Sequence, residues 1–195
     1  KRALKVDVLD AIRNRRAVRD YVDEPLDRRL IEAVIADAVW APSGMNRQPW
    51  RFFVIEGREA LARYSAEAKS LMLAQAERRP EIAAVRGMLE QQDFNIFYNA
   101  PALIVICATE ADEMAVKDCS LAAQTLMLAA CARGLGTCWI GFAEAWLNSP
   151  AAKAELGIPE VLRPVAPILI GRPKAASAPP ARDAPEVSYV RVEKT

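Results

Sequence analysis

The sequence predicts one domain of mixed helices and short strands. Three observations carry that reading. An amphipathic run over 28–38 leads through the stiff loop Ala41–Trp50 into an aromatic, β-branched stretch. A continuous apolar run, Leu103-Ile104-Val105-Ile106-Cys107, has the length and character of a buried strand. Residues 112–133 form a long Ala- and Leu-rich helical pattern closed by glycines. The chain shows no internal repeat and no break in composition, so residues 1–195 read as a single domain.

In chain order, residues 6–14 read as a helix with Val8, Leu9 and Ile12 on one face. The basic segment Arg13-Asn14-Arg15-Arg16-Ala17-Val18-Arg19 follows. Asp27 is the N-cap of the next helix, whose Leu30, Ile31, Val34, Ile35 and Ala38 recur at helical spacing, and Pro42 marks its end. Arg51–Ile55 is a strand. Residues 58–78 and 81–92 read as two charged helices broken at Pro80, with periodicity weak enough for a mobile lid over 58–92. Residues 102–108 are a central strand, and the 112–133 helix is apolar nearly all round, as a helix buried on most sides would be. Thr137–Ile140 is a short strand, and Ser149-Pro150 opens a short helix. Pro164–Ile170 is the last core strand, with Pro167 expected to limit its central pairing. Residues 173–186 are rich in Ala and Pro, and Val187, Tyr189, Val190 and Val192 then alternate like a strand. Residues 173–195 are therefore an extended arm that docks elsewhere on the fold or on a second subunit.

Composition narrows the chemistry. Apolar residues are 52% of the 195, more than one small domain hides, so some of them belong to a subunit interface. The net charge of +1 gives no general attraction to nucleic acid or anionic membrane. No apolar run approaches the roughly 20 residues that cross a bilayer. The first helix is amphipathic and charged, unlike the core of a signal peptide, and Lys1 reads as a trimmed or partly ordered terminus. The four cysteines, at 107, 119, 131 and 138, form no C-x-x-C pair and read as reduced thiols of a cytoplasmic protein. There is no histidine, which removes Ser-His and Cys-His nucleophiles and His-ligated zinc. No metal-ligand cluster, Walker motif or paired-carboxylate signature appears. An enzyme of this composition takes its chemistry from a cofactor.

Three motifs remain. Arg15, Arg16 and Arg19 are either a solvated patch or a phosphate site, since a guanidinium fork matches phosphate oxygens. Gly134-Leu135-Gly136-Thr137-Cys138-Trp139-Ile140-Gly141 is either a helix stop before an edge strand or a segment whose backbone a flat ring can approach at Gly141. It is not the dinucleotide fingerprint, because it follows a helix and has the wrong spacing. Ala41-Pro42-Ser43-Gly44-Met45-Asn46-Arg47-Gln48-Pro49-Trp50 carries more polar reach than a connector needs.

Taken in order, R-R-x-x-R after the first helix, A-P-S-x-x-N-x-Q-P-W before a strand and G-L-G-T-x-W-I-G after a long helix resemble the nitroreductase family of flavoproteins. The resemblance runs from about residue 8 to Gly171 and includes Asn99-Ala100-Pro101. It implies an α+β fold with a central, mostly antiparallel sheet flanked by helices. It also implies an intertwined homodimer, FMN bound in the interface, and a C-terminal arm that crosses to the partner's sheet.

By position, the resemblance gives Arg15, Arg16 and Arg19 to the FMN phosphate and ribityl chain, with Ala17 where the family often has serine. It sets Pro42, Ser43 and Asn46 beside the ring, on a loop that the partner subunit can supply, with Gln48 near the ring edge. Trp139, Ile140 and Gly141 give the backbone that faces the ring. Arg172 or Arg182 is the late basic residue that reaches the phosphate, and Asn95 is a weaker candidate. The implied activity is ping-pong transfer of hydride from NAD(P)H through the flavin to a nitroaromatic, quinone or similar flat acceptor, with no catalytic side chain. The alternatives are a flavin-storing protein and a flavin-fragmenting or dehalogenating relative.

Overall fold

In the computed structural model, which describes residues 7–176, 178 and 180–191, the apolar run becomes β2 (Ala102–Ala108), and all seven of its side chains are buried. Successive side chains of a strand point to opposite faces. Leu103, Val105 and Cys107 therefore enter one core, and Ile104 and Ile106 the other. Each such fully buried side chain stabilises the fold by roughly 1.5–3 kcal/mol. β2 lies inside a four-stranded antiparallel sheet ordered β1 (Trp50–Glu56), β2, β4 (Arg163–Gly171), β3 (Gly136–Trp139).

Helices cover both faces. On one lie α2 (Arg28–Ala38) and α6 (Glu113–Ala132), through Ile31 and Val34 and through Ala122 and Leu126. The Asp27 side chain accepts from Arg29 N–H and starts α2, as its N-cap position predicts. α1 (Val8–Asn14) packs outside α6 and buries Ala11, while Val8, Leu9 and Ile12 face solvent. The other face is covered by α3 (Arg58–Gln75), two one-turn helices α4 (Pro80–Ala83) and α5 (Arg86–Leu89), then α7 (Glu144–Leu147) and α8 (Pro150–Leu156). The arrangement is α+β, an antiparallel sheet between helical layers. Among the described residues, no helix is long and apolar enough to cross a membrane.

Four expectations change. α3 is not part of a loose cover: it seats Leu61, Tyr64, Ala68 and Met72 in the core, and Tyr64 packs on Trp146 with ring centroids 5.0 Å apart. The second helix of that region is two short turns, with Pro80 at the start of α4 rather than between two long helices. α6 is not buried on most sides within one chain, because Met114 and Leu121 are exposed on its outer side. β4, despite two prolines, pairs on both edges. Its register shifts beside Pro164, and the Pro167 carbonyl accepts from Ile140 N–H (2.9 Å). A residue's N–H and C=O share one side of an antiparallel strand, so the missing Pro167 N–H falls on the β3 side, just where that ladder ends.

The arm starts against the body of the chain. Pro173 bridges Tyr21 and Lys174 N–H donates to Asp20, but residues 180–191 are exposed and form no strand within the chain. Val192 lies outside the described residues.

Candidate flavin site

The arginine segment is built onto the free edge of β3. Val18 N–H donates to the Thr137 carbonyl (2.9 Å), and Ala17 bridges Thr137 in parallel. Val22 N–H then donates to the Arg172 carbonyl. Two glycines make this approach possible. A methyl group at Gly136 would come within 2.7 Å of Val18, and one at Gly171 within 2.6 Å of the Tyr21 ring. Tyr21 locks the segment further by donating its hydroxyl to the Val18 carbonyl (2.7 Å). Burial, then the neighbouring Cys138, raise the Tyr21 pKa, so it stays a neutral donor.

This docking leaves a cleft of about 280 Å³ between Arg15, Arg16 and Val18 on one wall and Gly134–Thr137, Pro173 and Ala175 on the other. Arg16 donates through Nη1 to the Arg13 and Arg15 carbonyls (2.6 and 2.8 Å). Its Nε is buried without a partner among the described residues. An unpaired buried donor on a cation costs about 1–3 kcal/mol unless something fills the gap. The donor set fits an oxyanion, and a phosphate group would answer both the charge and the open Nε. Arg19 turns elsewhere. Its guanidinium stacks on Tyr98, 5.7 Å from the ring centroid, in a neighbouring cleft with Asn95 and Asn99. Arg172 does not line the cleft but directly precedes Pro173, which does, whereas Arg182 sits in the exposed arm.

Below the cleft, β3 runs into Ile140 and the 3-10 turn Gly141–Ala143. Trp139 donates its indole N–H to Glu144 (3.1 Å), and Ile140 is buried. Gly141 opens onto a cavity of about 480 Å³ that also touches Met72, Ile82, Phe142 and Arg163. An added methyl at Gly141 meets nothing within 4 Å, so space in front of that backbone is free.

The loop Pro42–Gln48 is preorganised but lies far from the arginines. Ser43 Oγ accepts from Gln48 N–H (2.9 Å), and the Gln48 amide reaches Asn46 Oδ1 (3.3 Å). Met45, Asn46 and Gln48 all have positive φ (53°, 54° and 53°), a conformation that non-glycine residues hold only when their surroundings fix it. Pro42, Asn46 and Gln48 are exposed. The loop precedes Trp50, which pairs with Ala108 at the end of the sheet where β4 begins, whereas the arginine segment meets Gly136–Thr137 at the end where β4 finishes. Four strand spacings of about 4.8 Å put roughly 19 Å of sheet between them. The clefts lined by Arg15, Arg16 and Arg19 contain no residue of the 42–48 loop.

One chain thus unites Arg15, Arg16 and Ala17 with the 134–137 segment, leads on to Trp139, Ile140 and Gly141, and leaves Pro42, Ser43, Asn46 and Gln48 at the opposite corner. Sequence reasoning missed Val18, Tyr21 and Gly171. Glycine inside a strand, which often marks close backbone approach, was the available signal.

The fold and site define an α+β protein with an arginine-lined cleft near a cavity that Gly141 opens onto. A family-wide sequence profile identifies the class: residues 12–172 match the nitroreductase family, and the chain belongs to it. It is 30% identical, over 97% of its length and 88% of the relative's, to a Methanothermobacter thermautotrophicus protein provisionally named an NADH dehydrogenase/NAD(P)H nitroreductase. It is 29% identical to the nitrobenzene nitroreductase of Ectopseudomonas oleovorans, over 83% of this chain and 85% of that one. Among solved structures it resembles a nitroreductase from Desulfitobacterium hafniense with bound FMN, at a TM-score of 0.79 and 28% identity, covering 94% of this chain and 98% of that one.

Proposed function

We propose that this protein is an FMN-dependent oxidoreductase that takes reducing equivalents from NAD(P)H and delivers them to a nitroaromatic, quinone or similar flat acceptor. The observation that carries the reading is the cleft that Arg15 and Arg16 share with Gly134–Thr137, where the Arg16 Nε is buried without a partner among the described residues. Arg15 and Arg16 would hold the FMN phosphate, with Arg172 the nearer late arginine and Arg182 the alternative. When bound, FMN would accept hydride from NAD(P)H and reduce the acceptor in alternate half-reactions within one pocket. The chain's own part is to bind, orient and exclude water. Gly141 would let a ring approach the backbone after Trp139 and Ile140, and the adjoining cavity combines apolar Met72, Ile82 and Phe142 with charged Arg79, Glu81 and Arg163. No side chain is assigned a nucleophilic role. A lid is proposed only for residues 80–89, of which Glu81, Ile82 and Val85 border that cavity.

The remaining site residues need a second copy. Pro42, Ser43, Asn46 and Gln48 would face the ring from the partner of a homodimer. Exposed Val8, Leu9 and Ile12 on α1 and Met114 and Leu121 on α6 supply apolar surface for it. The arm beyond Lys174 would cross to the partner's sheet, where the outer edge of β1 has unpaired backbone groups.

The test is an anaerobic titration of purified protein with FMN, then NADH or NADPH, then an acceptor panel. Yellow holoprotein that either nicotinamide bleaches and an acceptor recolours supports the reading. Arg15→Ala and Arg16→Ala should each weaken FMN binding by about tenfold or more, the loss of one charge-assisted hydrogen bond. Protein that takes up no FMN sinks the proposal, and flavin that neither nicotinamide bleaches leaves a flavin store.

A further inference from the structure

Among the described residues, Asp118 is the one acidic or basic side chain with almost no exposure, at 2%. It lies on the inner face of α6 among Ala115, Cys119 and Ala122, where an apolar residue would pack without a desolvation penalty. Both carboxylate oxygens accept the Gly44 N–H, each at 3.2 Å. Gly44 is the residue before Met45 and Asn46, whose positive φ values must be held by their surroundings. A side chain at Gly44 would crowd Met114 Cγ at 3.2 Å, so the loop is drawn tightly onto α6 at this point. Arg47 ties the far end of the turn to Glu110 and Asp112 (2.5 and 3.1 Å).

We propose that Asp118 is a positioning residue for the site. By fixing the Gly44 backbone it sets the directions in which Ser43, Asn46 and Gln48 project. It touches neither cofactor nor substrate in this role, and acts through the loop. The assignment rests on the flavin reading of that loop.

Asp118→Asn and Asp118→Leu separate the tether from mere packing. The Asn carbonyl oxygen can accept the same N–H. Leu is of similar size and has no acceptor, so it keeps the packed volume and removes the tether. The FMN dissociation constant of Asp118→Asn should stay within about twofold of wild type, and that of Asp118→Leu should rise about tenfold or more. Amide exchange at Gly44, followed by NMR in the apoproteins, should be faster in Asp118→Leu and unchanged in Asp118→Asn. Equal FMN affinity in Leu and wild type, or an Asn variant as weak as Leu, overturns the proposal. Wild-type protein that takes up no FMN sinks the functional reading instead. Gly44 exchange alone then decides the tether, and equal exchange in all three proteins overturns it.

Discussion

Gly136 and Gly141 sit five residues apart in one glycine-rich motif, yet they permit different things. At Gly136 the absent side chain makes room for Val18 inside the chain, whereas at Gly141 nothing of this chain comes near. Gly136→Ala should therefore overpack the β3 edge, cost about 1–3 kcal/mol, and loosen the arginine segment. Calorimetry should find a melting temperature several degrees lower, together with weaker FMN binding. Gly141→Ala should melt like wild type, and any loss of flavin affinity would come from the ring alone. Equal melting temperatures for the two variants would contradict this division. The thiols behave as the interior dictates. Burial pushes Cys107 and Cys119 up to about 12 and also raises Cys138 and Cys131, although Arg19 beside Cys138 and Arg15 beside Cys131 oppose it. A thiol reagent at pH 8 should label the native protein slowly and all four cysteines at once after unfolding. At this scale the arginine segment could be named from charge type alone, but not that Arg15 and Arg16 would share one cleft and Arg19 line another. Val18 and Tyr21 were not legible, because an ordinary apolar side chain does not reveal which glycine it packs against.

The start of α6 shows how an element holds the site loop. Asp112 caps the helix by accepting from Ala115 N–H (2.7 Å), and the same carboxylate pairs with Arg47. The cap, then Arg47, hold its pKa below the ordinary value of 3.8. The unfolded chain binds the proton more readily, so this stabilisation is complete above the ordinary value and fades as pH falls through the lower folded one. Asp112→Ala should lower the melting temperature by a few degrees at pH 7. The gap between variant and wild type should narrow below about pH 4. A gap that stays constant from pH 7 to pH 3 would show that the carboxylate charge is not what stabilises. Element identity was largely readable, since Asp27, Ser149-Pro150 and the 102–108 run each produced the element that their local chemistry favours. β4 was harder, because the side on which a proline's missing N–H falls depends on the ladder and not on the proline. The 80–89 turns were harder still, since pieces that short have no periodicity to read.

For the whole molecule, the placement of the two polar motifs is the strongest constraint. They lie at opposite corners of one sheet, and no hinge within the chain brings them together, because each is anchored: Val18 to Thr137, and Gly44 to Asp118. If both serve one ligand, they must come from two chains. The exposed apolar residues provide the means. Trp40, just before the loop, is 85% exposed and Met45, within it, is 96% exposed, while Leu9 and Ile12 face outward from α1. In a monomer this surface would be a liability, and burying it gains roughly 25 cal/mol per Å². A C2 dimer would cover it twice with one set of residues. Leu9→Glu combined with Ile12→Glu should leave the chain folded, because neither side chain contributes to the core, but should place two buried carboxylates in each half of the interface. On the proposed dimer, sedimentation velocity should find wild type as dimer and the variant as monomer, and FMN binding should fall in parallel, since each site would lack the partner's loop. A monomeric variant that retains wild-type flavin affinity would show that one chain completes the site, and the argument from opposite corners would fail.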